Sequence, residues 1–306
     1  MSGFEQAQCD VESFFINKLD LKYSIIKLLS KVTSNKKDIV KLQEAQLNDI
    51  LKLFKPDLVV FVGVFFIPFE LIALCKDKNY CTIGWAGDAF GEHQSIYKNY
   101  LDFLYVSDSA LVDIANHMGF NNVQLLQFGY NPNLHKDYMN KRSNYINFIG
   151  SYTKQRDEIF SQLINYNLHI EGINWDKLTS KSTKWIVKNN KLDQKKVVDI
   201  YNSTIATLNV AQKDNVINMV NMRTFEATAC GSCMINDYVK DIELCFEPNK
   251  EIVVYHNNEE LIELSNKVLN DKVFRDTIIK NAKNRIEKDG YSYKHRAEVM
   301  LDNLNK

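Results

Sequence analysis

The chain has 306 residues, of which 45% are hydrophobic and 25% charged, with only 11 glycines and 4 prolines. This composition excludes a disordered, collagen-like or coiled-coil chain, and the length fits two compact domains. Lysine plus arginine and aspartate plus glutamate both total 38. The balance leaves no global field that would attract nucleic acid or an anionic membrane surface.

Strand and helix patterns alternate through the first part of the chain. A helix is predicted over 37–55, and another that begins at Ser107 or Asp108. Strands are predicted at 11–16, 58–63, 80–85, 102–106 and 122–126. Such alternation is typical of crossover connections and a parallel sheet.

The longest apolar stretch, 58–75, is long enough to raise a transmembrane helix as an alternative. Gly63, Pro68 and Glu70 interrupt it, and its first part, LVVFV, is β-branched and aromatic. We therefore predict a buried strand, a turn and a helix.

The polar stretch from Gly129 to Ser143 contains a proline and lacks periodicity, so it is predicted to be a linker in which His135 is exposed. Beyond it we predict strands at 145–150, 168–172, 204–210 and 232–236, helices at 154–165, 193–202 and 222–231, and two or three final helices. The sequence therefore predicts two α/β domains with a ligand cleft between them.

Six cysteines without a signal-peptide pattern indicate reduced thiols and a cytoplasmic protein. The spacing Cys230-Gly-Ser-Cys233 also fits a redox motif or half of a zinc site, but no second pair completes it. We favour packing of small side chains around a helix that ends at Gly231.

The segment from Gly150 to Arg156 has the pattern of an anion site. A strand ends at Gly150, and a helix begins a few residues later with Ser151 and Thr153 as candidate caps. First-turn amides attract anions, and Lys154 and Arg156 add positive charge, so a phosphate or diphosphate fits. An ordinary capped helix with solvated cations is the alternative.

A second candidate segment runs from Asn221 to Gly231. Arg223 and Glu226 are three residues apart on one helix and share a face. Only six arginines occur and none precedes position 142, which favours Arg223 for bidentate anion recognition. A surface ion pair is the alternative, although the small residues after Glu226 favour a closely packed helix.

Two other features carry weaker predictions. Asp88 follows a strand of the first domain, where ligand-facing loops emerge, and is a candidate base or acceptor-orienting group; a helix cap is the alternative. The lysine-rich stretch 179–196 is predicted to be a solvated loop and helix face, with docking of an anionic acceptor or a membrane as the alternative.

Ordered sequence pieces resemble one known family. NMRTFEATACGSCMIND, LCFEPNKEIVVYHNNEEL and YSYKHRAEVML follow the upstream pieces KPDLVVFVG, TIGWAGD, FIGSYTKQRDEIF and HIEGINW. Over residues 55–305 this set resembles the CgeB-like branch of group 1 glycosyltransferases. The resemblance implies the GT-B architecture: an acceptor-side Rossmann-like domain over 1–135, a nucleotide-sugar donor domain over 136–290, and a helix within 291–306 crossing back to the first domain.

The resemblance also implies transfer of a sugar, expected to be a hexose, from a nucleotide-diphosphate donor without a metal or other cofactor. Glu226 would accept hydrogen bonds from the donor ribose, and Arg223 with the loop from Gly150 would hold the diphosphate. The acceptor is not identified, and a glycan, a lipid-linked sugar and a protein all fit. The expected donor-binding residues are Gly150, Ser151, Tyr152, Lys154, Arg156, Asn209, Asn221, Arg223, Thr224 and Glu226, with Asp88 and Arg223 as catalytic residues.

The chain departs from the family pattern at two places. Many group 1 enzymes carry a glutamate where Asn218 stands here. The start, GFEQAQCDVESFFI, resembles a first helix and second strand, so the first strand of the N-terminal domain is expected to be missing.

Two alternatives to a transferase stay open: a non-catalytic nucleotide or nucleotide-sugar binding protein, and a sugar-nucleotide epimerase. No nucleic acid partner or transmembrane segment is expected, and peripheral attachment at the inner membrane is left open.

Overall fold

A computed structural model describes residues 2–16, 18, 20, 22, 24, 26, 27, 35–211 and 217–305. Its strands are β1 (Leu58–Val62), β2 (Cys81–Ala86), β3 (Phe103–Val106), β4 (Val123–Leu125), β5 (Ser143–Ile149), β6 (Leu168–Gly172), β7 (Trp185–Asn189), β8 (Thr204–Asn209), β9 (Cys233–Asp237) and β10 (Val253–Tyr255). The described helices are α1 (Ser2–Gln6), α2 (Lys36–Phe54), α3 (Phe69–Asp77), α4 (Ser109–His117), α5 (Lys154–Ser161), α6 (Gln194–Ser203), α7 (Met222–Ala229), α8 (Ile242–Cys245), α9 (Asn258–Asn270), α10 (Lys272–Lys288) and α11 (Tyr293–Asp302).

The first sheet is parallel and has the order β1-β2-β3-β4. Leu47 and Leu51 of α2 and Leu71 and Ile72 of α3 pack with its core. The apolar run 58–75 forms β1, a single 3₁₀ turn and most of α3, which confirms the predicted strand, turn and helix. Within the described residues, no helix is long and apolar enough to span a membrane.

The strand predicted at 11–16 is wrong, because residues 11–15 have no regular structure and residue 16 lies in a turn. Phe14 and Ile16 pack against the core of the first sheet without joining its hydrogen-bond ladder. Apolar spacing in this segment therefore reflects side-chain packing and not strand pairing.

The second sheet is also parallel and has the order β10-β9-β8-β5-β6-β7. This is the doubly wound order, and the direction of winding reverses between β5 and β8. The edge strand β7 lies inside the lysine-rich stretch that we predicted to be a loop and helix face; it pairs with β6 from Trp185 to Asn189. That prediction is therefore wrong for these five residues, while α6 begins at Gln194.

The C-terminal helix α11 packs on the first sheet. Met300 is buried with Ile83, Trp85 and Tyr105, and the Asn303 amide donates to the Tyr105 hydroxyl over 2.5 Å. The short helix α1 lies against α11. The last helix thus ties the end of the chain to the N-terminal sheet.

The carboxyl ends of the two sheets meet at Asp108, which follows β3. Its Oδ2 accepts hydrogen bonds from the backbone N–H groups of Ile217, Asn218 and Met219, at 2.9, 2.8 and 3.2 Å. These three residues lie between β8 and α7. The space between the carboxyl ends is therefore the cleft where ligands bind in open α/β sheets.

Candidate functional site

Two helix N-termini lie at the point where the winding of the second sheet reverses. Thr153 caps α5 by accepting from the Arg156 N–H at 3.2 Å, and Asn221 caps α7 by accepting from the Arg223 N–H at 3.0 Å. The Asn221 amide also donates to Asn209 Oδ1 at 2.7 Å, which fixes the cap to the end of β8. Because β5 and β8 are neighbours, both positive helix ends face one crevice.

The loop after β5 is held by β6 and the turn that follows it. The Gly150 N–H donates to the Glu171 carbonyl at 3.1 Å, and the Gly150 carbonyl accepts from Trp175 Nε1 at 2.7 Å. The ring of Tyr152 packs edge-on against Trp175. Ser151 is exposed at the tip. The predicted anion loop is therefore a rigid turn with one hydroxyl facing solvent.

Arg156 is buried and bridges the loops that follow β5 and β8. Its guanidinium donates to the Ser151 carbonyl at 2.7 Å and to the Val210 carbonyl at 3.2 Å. Burial, and then the charge of Arg223, lower the pKa of Arg156 to about 10. Lys154, by contrast, is exposed and lies 3.9 Å from Glu158. Arg156 therefore contributes a buried positive charge next to the crevice, whereas the Lys154 side chain is exposed to solvent.

Arg223 is half-buried, and in the described part of the chain its guanidinium has no hydrogen-bond or ion-pair partner, while its backbone N–H donates to the Asn221 cap. It does not pair with Glu226, so the proposed alternative of a surface ion pair is not observed. Its charge acts on Arg156, and Asp237 at the end of β9 offsets this only in part. Two guanidinium groups that repel each other at the ends of parallel strands form an environment that favours an anion.

Asn209 and Thr224 have structural contacts inside the site. Thr224 is fully buried, and its hydroxyl donates to Asn236 Oδ1 at 3.0 Å, which ties α7 to β9. Asn209 is buried at the end of β8 and holds the Asn221 cap. Both side chains therefore hold the N-terminal end of α7, which carries Arg223.

Glu226 lies on the buried side of α7 with 9% of its surface exposed. Burial raises the pKa of its carboxyl to about 7, against the opposing effect of the Arg223 charge. A carboxyl that can change its charge near neutral pH in a crevice is a feature of functional sites.

His135 lies next to this carboxyl, with Nε2 at 3.8 Å from Glu226 Oε1. The prediction that His135 is exposed is wrong, since it is 5% exposed, and burial lowers its pKa to about 4. The linker folds back because the His135 N–H donates to the Asn131 carbonyl. The run NPNLH permits such a turn, but its polar composition gave no sequence signal that His135 is buried.

Asp88 is exposed just beyond β2, on the other side of the cleft. It lines a small pocket with Gly63, Phe66 and Gln94. The 3₁₀ helix that follows is capped by Gly91, so Asp88 does not cap it. The carboxylate is therefore free to face the cleft from the first sheet.

The Cys230-Gly-Ser-Cys233 segment packs in the core. Both thiols are free and buried, and burial raises the pKa of each to about 12. Protonated, buried thiols are unreactive, which supports the packing interpretation. Across the described ranges, no group of three or more His, Cys, Asp or Glu side chains is placed to hold a metal ion.

Solved structures share this two-sheet architecture. The glycosyltransferase from Rickettsia africae ESF-5 matches with a TM-score of 0.63 and 12% identity, over 91% of this chain and 86% of that one. Anabaena Alr3699/HepE in complex with UDP-glucose matches with a TM-score of 0.64 and 11% identity, over 93% and 90%. At these identities the similarity shows the fold alone. The fold is GT-B, with two Rossmann-like domains facing across a cleft.

The family described as glycosyl transferase-like matches residues 154–302. This range contains α5, with Arg156, and α7, with Arg223 and Glu226. No curated protein shows a significant sequence match to the chain.

A further solved structure with the same fold is described as a UDP-N-acetylglucosamine 2-epimerase from Listeria monocytogenes. It matches with a TM-score of 0.59 and 10% identity, over 88% of this chain and 80% of that one.

Proposed function

We propose that this protein is a glycosyltransferase of the CgeB-like branch of group 1, which moves a sugar, a hexose, from a nucleotide-diphosphate donor to an acceptor. The observation that carries the proposal is the pair Arg156 and Arg223 at two helix N-termini, inside the glycosyl transferase-like range. Anabaena Alr3699/HepE, which binds UDP-glucose, has the same fold.

The diphosphate would lie between the N-termini of α5 and α7. Arg223 would contact its oxygens directly, because its guanidinium has no partner among the described residues. Arg156 would act through its charge, since its N–H groups already bind two backbone carbonyls. These guanidinium groups would neutralise the charge that develops on the leaving diphosphate, the role that a divalent ion has in other transferases.

The ribose would bind at Glu226, one turn of α7 beyond Arg223. An ionised carboxylate accepts hydrogen bonds from two neighbouring hydroxyls, whereas a protonated one also donates. The burial that raises the pKa of Glu226 would therefore make donor binding depend on pH near neutrality.

The acceptor would enter from the first sheet, where Asp88 is exposed. Asp88 would orient an acceptor hydroxyl or take its proton, since general bases must reach the group that they deprotonate. The exposed ring of Phe66 in the same pocket would contact an apolar or sugar-ring surface of that acceptor. The protein would act in the cytoplasm, where nucleotide sugars are its co-substrates.

An epimerase is the second candidate, because the Listeria protein described as an epimerase has the same fold. An epimerase would bind the same donor through the same diphosphate contacts but would need no acceptor. The two candidates differ in the fate of the sugar. A transferase passes the sugar to an acceptor or to water and releases the nucleoside diphosphate, whereas an epimerase yields either an altered nucleotide sugar or a free epimeric sugar together with the nucleoside diphosphate.

A donor panel tests the proposal. The wild type, Arg223→Gln and Lys272→Gln would be incubated with UDP-, GDP-, ADP- and dTDP-hexoses, and products followed by chromatography and proton NMR. With water as the acceptor of the hexosyl group, we expect slow hydrolysis of one donor to nucleoside diphosphate and free hexose by the wild type and by the exposed control Lys272→Gln, and loss of this hydrolysis in Arg223→Gln. An epimeric product without an acceptor would support the second candidate. Binding without turnover of any donor would identify a binding protein.

A further inference from the structure

The imidazole of His135 has a fixed orientation. Its Nδ1 accepts a hydrogen bond from the Asn131 backbone N–H at 3.0 Å. Burial lowers the pKa of His135 to about 4, so the ring is neutral at neutral pH. A neutral imidazole whose Nδ1 accepts must carry its proton on Nε2. The Nε2–H therefore lies on the side of Glu226, with the nitrogen 3.8 Å from Oε1.

Asn131 is itself anchored. Its side-chain Nδ2 donates to the Ser2 hydroxyl, and its side-chain Oδ1 accepts from the Gln6 amide, each at 3.1 Å. The backbone N–H that fixes His135 thus belongs to a residue held by α1. A chain of contacts runs from α1 through Asn131 and His135 to Glu226.

The carboxyl of Glu226 has few polar neighbours. Among the described residues it accepts no hydrogen bond, and its one ion-pair distance is the 3.8 Å to His135. The titratable and charged groups that face it are Arg223 and Cys230 on its own helix or just beyond it, Tyr201 on α6, Tyr293 on α11 and His135 in the linker.

We propose that His135 is a positioning residue of the nucleotide site: its Nε2–H dipole lies beside one oxygen of Glu226, at 3.8 Å and so without a hydrogen bond, and stabilises the ionised carboxylate that binds ribose. The inference rests on the proposed function for the identity of the ligand, but the contact between His135 and Glu226 can be tested without any ligand. His135 would not touch the ribose itself. Its effect would be transmitted through the charge and orientation of Glu226.

Two isosteric variants separate positioning from packing. His135→Gln places an amide N–H near the position of Nε2, whereas His135→Asn keeps an acceptor for the Asn131 N–H but loses the donor toward Glu226. The first measurement is carboxyl NMR of ¹³C-labelled protein, with Glu226→Gln to assign the signal. We expect His135→Asn to raise the pKa of Glu226 by about one pH unit, because a donor favours the ionised form. His135→Gln should leave it near the wild-type value.

The second measurement is UDP affinity by calorimetry at pH 7 and pH 8.5. His135→Asn should weaken UDP binding about fivefold at pH 7, because a Glu226 pKa raised by about one pH unit leaves a smaller fraction of the carboxyl ionised. Binding by this variant should recover at pH 8.5. His135→Gln should bind like the wild type at both values. Equal effects of the two variants, or no change in either, would show that the imidazole only fills space and would overturn the inference.

The two proposals fail in different ways. If the wild type binds none of UDP, GDP, ADP, CMP and dTDP, the proposed function fails, while the carboxyl NMR still decides whether His135 acts on Glu226. Should His135→Asn not fold, His135→Phe, which keeps a ring but has no donor, replaces it. A Glu226 pKa about one pH unit higher in His135→Phe than in His135→Gln supports the inference, and equal pKa values in the two variants contradict it.

Discussion

At the residue scale, the site combines two arginines that differ in exposure and one buried carboxyl, that of Glu226. The Arg156 guanidinium already donates to two backbone carbonyls, whereas the Arg223 guanidinium has no partner among the described residues and can bind a ligand. The scarcity of arginine in the sequence favours both residues as anion ligands, but no sequence pattern distinguishes their roles. Their roles differ because the Val210 carbonyl, which follows β8, accepts a hydrogen bond from Arg156, and this contact exists only in the folded chain.

Glu226 provides a test of burial at this scale. Its carboxyl pKa is raised from 4.5 to about 7, so the folded protein keeps this proton while the unfolded chain loses it. The wild type should therefore lose about 3 kcal/mol of stability between pH 4.5 and pH 7, with full stability only below the unfolded pKa. Glu226→Gln, which has no charge to bury, should lack this loss.

Urea unfolding at a series of pH values measures the difference. The stability curve of Glu226→Gln should diverge upward from that of the wild type as pH rises from 4.5 to 7. The exposed control Glu263→Gln should follow the wild type. Parallel curves for all three proteins would mean that Glu226 is solvated in the folded protein.

At the element scale, the sequence predicts elements with a continuous apolar face well and misses two strands of the second sheet, β7 and β10. Helix α2 and strands β1, β2, β6 and β8 lie within one or two residues of their predicted ranges, because each buries a continuous apolar face. β7 was missed because four of its five residues are exposed and lysines surround it. The three-residue strand β10 was also missed. β7 and β10 form because they pair with β6 and β9, and the periodicity of a short segment does not predict such pairing.

A substitution at Gly172, at the end of β6, tests how closely β6 packs against the loop that follows β5 at Gly150. Its φ is 154°, and a Cβ built there would lie 2.1 Å from the Gly150 carbonyl oxygen. Gly172→Ala should destabilise the protein by about 2 to 4 kcal/mol and displace the Gly150 loop. Thermal and urea unfolding would measure this. Gly91→Ala, where a Cβ would lie at an ordinary 3.8 Å from His93 Nδ1, is the control, and equal stability of the two variants would show that the loop can move aside.

At the scale of the whole molecule, the two domains are joined by a pair of buried carboxylates. Asp108 binds three backbone amides of the segment before α7, and Asp241 Oδ2 accepts from the Ser109 N–H at 2.9 Å. Asn218, where the resembling family has a glutamate, donates its amide to the Ser109 hydroxyl at 3.0 Å. The residue that departs from the family pattern thus contributes to the domain joint.

Asp108→Asn should loosen this joint. The variant replaces a carboxylate that accepts from several amides with a neutral group that has one acceptor oxygen. We expect a loss of about 1 to 3 kcal/mol and faster hydrogen exchange at the amides of 217–219. Asp113→Asn, an exposed change on the same helix, serves as the control. Unchanged exchange at 217–219 would show that other contacts hold the segment.

The proposed function requires that the crevice between α5 and α7 binds a nucleoside diphosphate through Arg223. The most direct measurement is calorimetry with the best binder among UDP, GDP, ADP, CMP and dTDP, comparing wild type, Arg223→Gln and the exposed control Lys272→Gln. Arg223→Gln should weaken binding about 10- to 100-fold, the usual value of hydrogen bonds to a charged group, and Lys272→Gln should bind like the wild type. Equal affinities in all three proteins would contradict the claim.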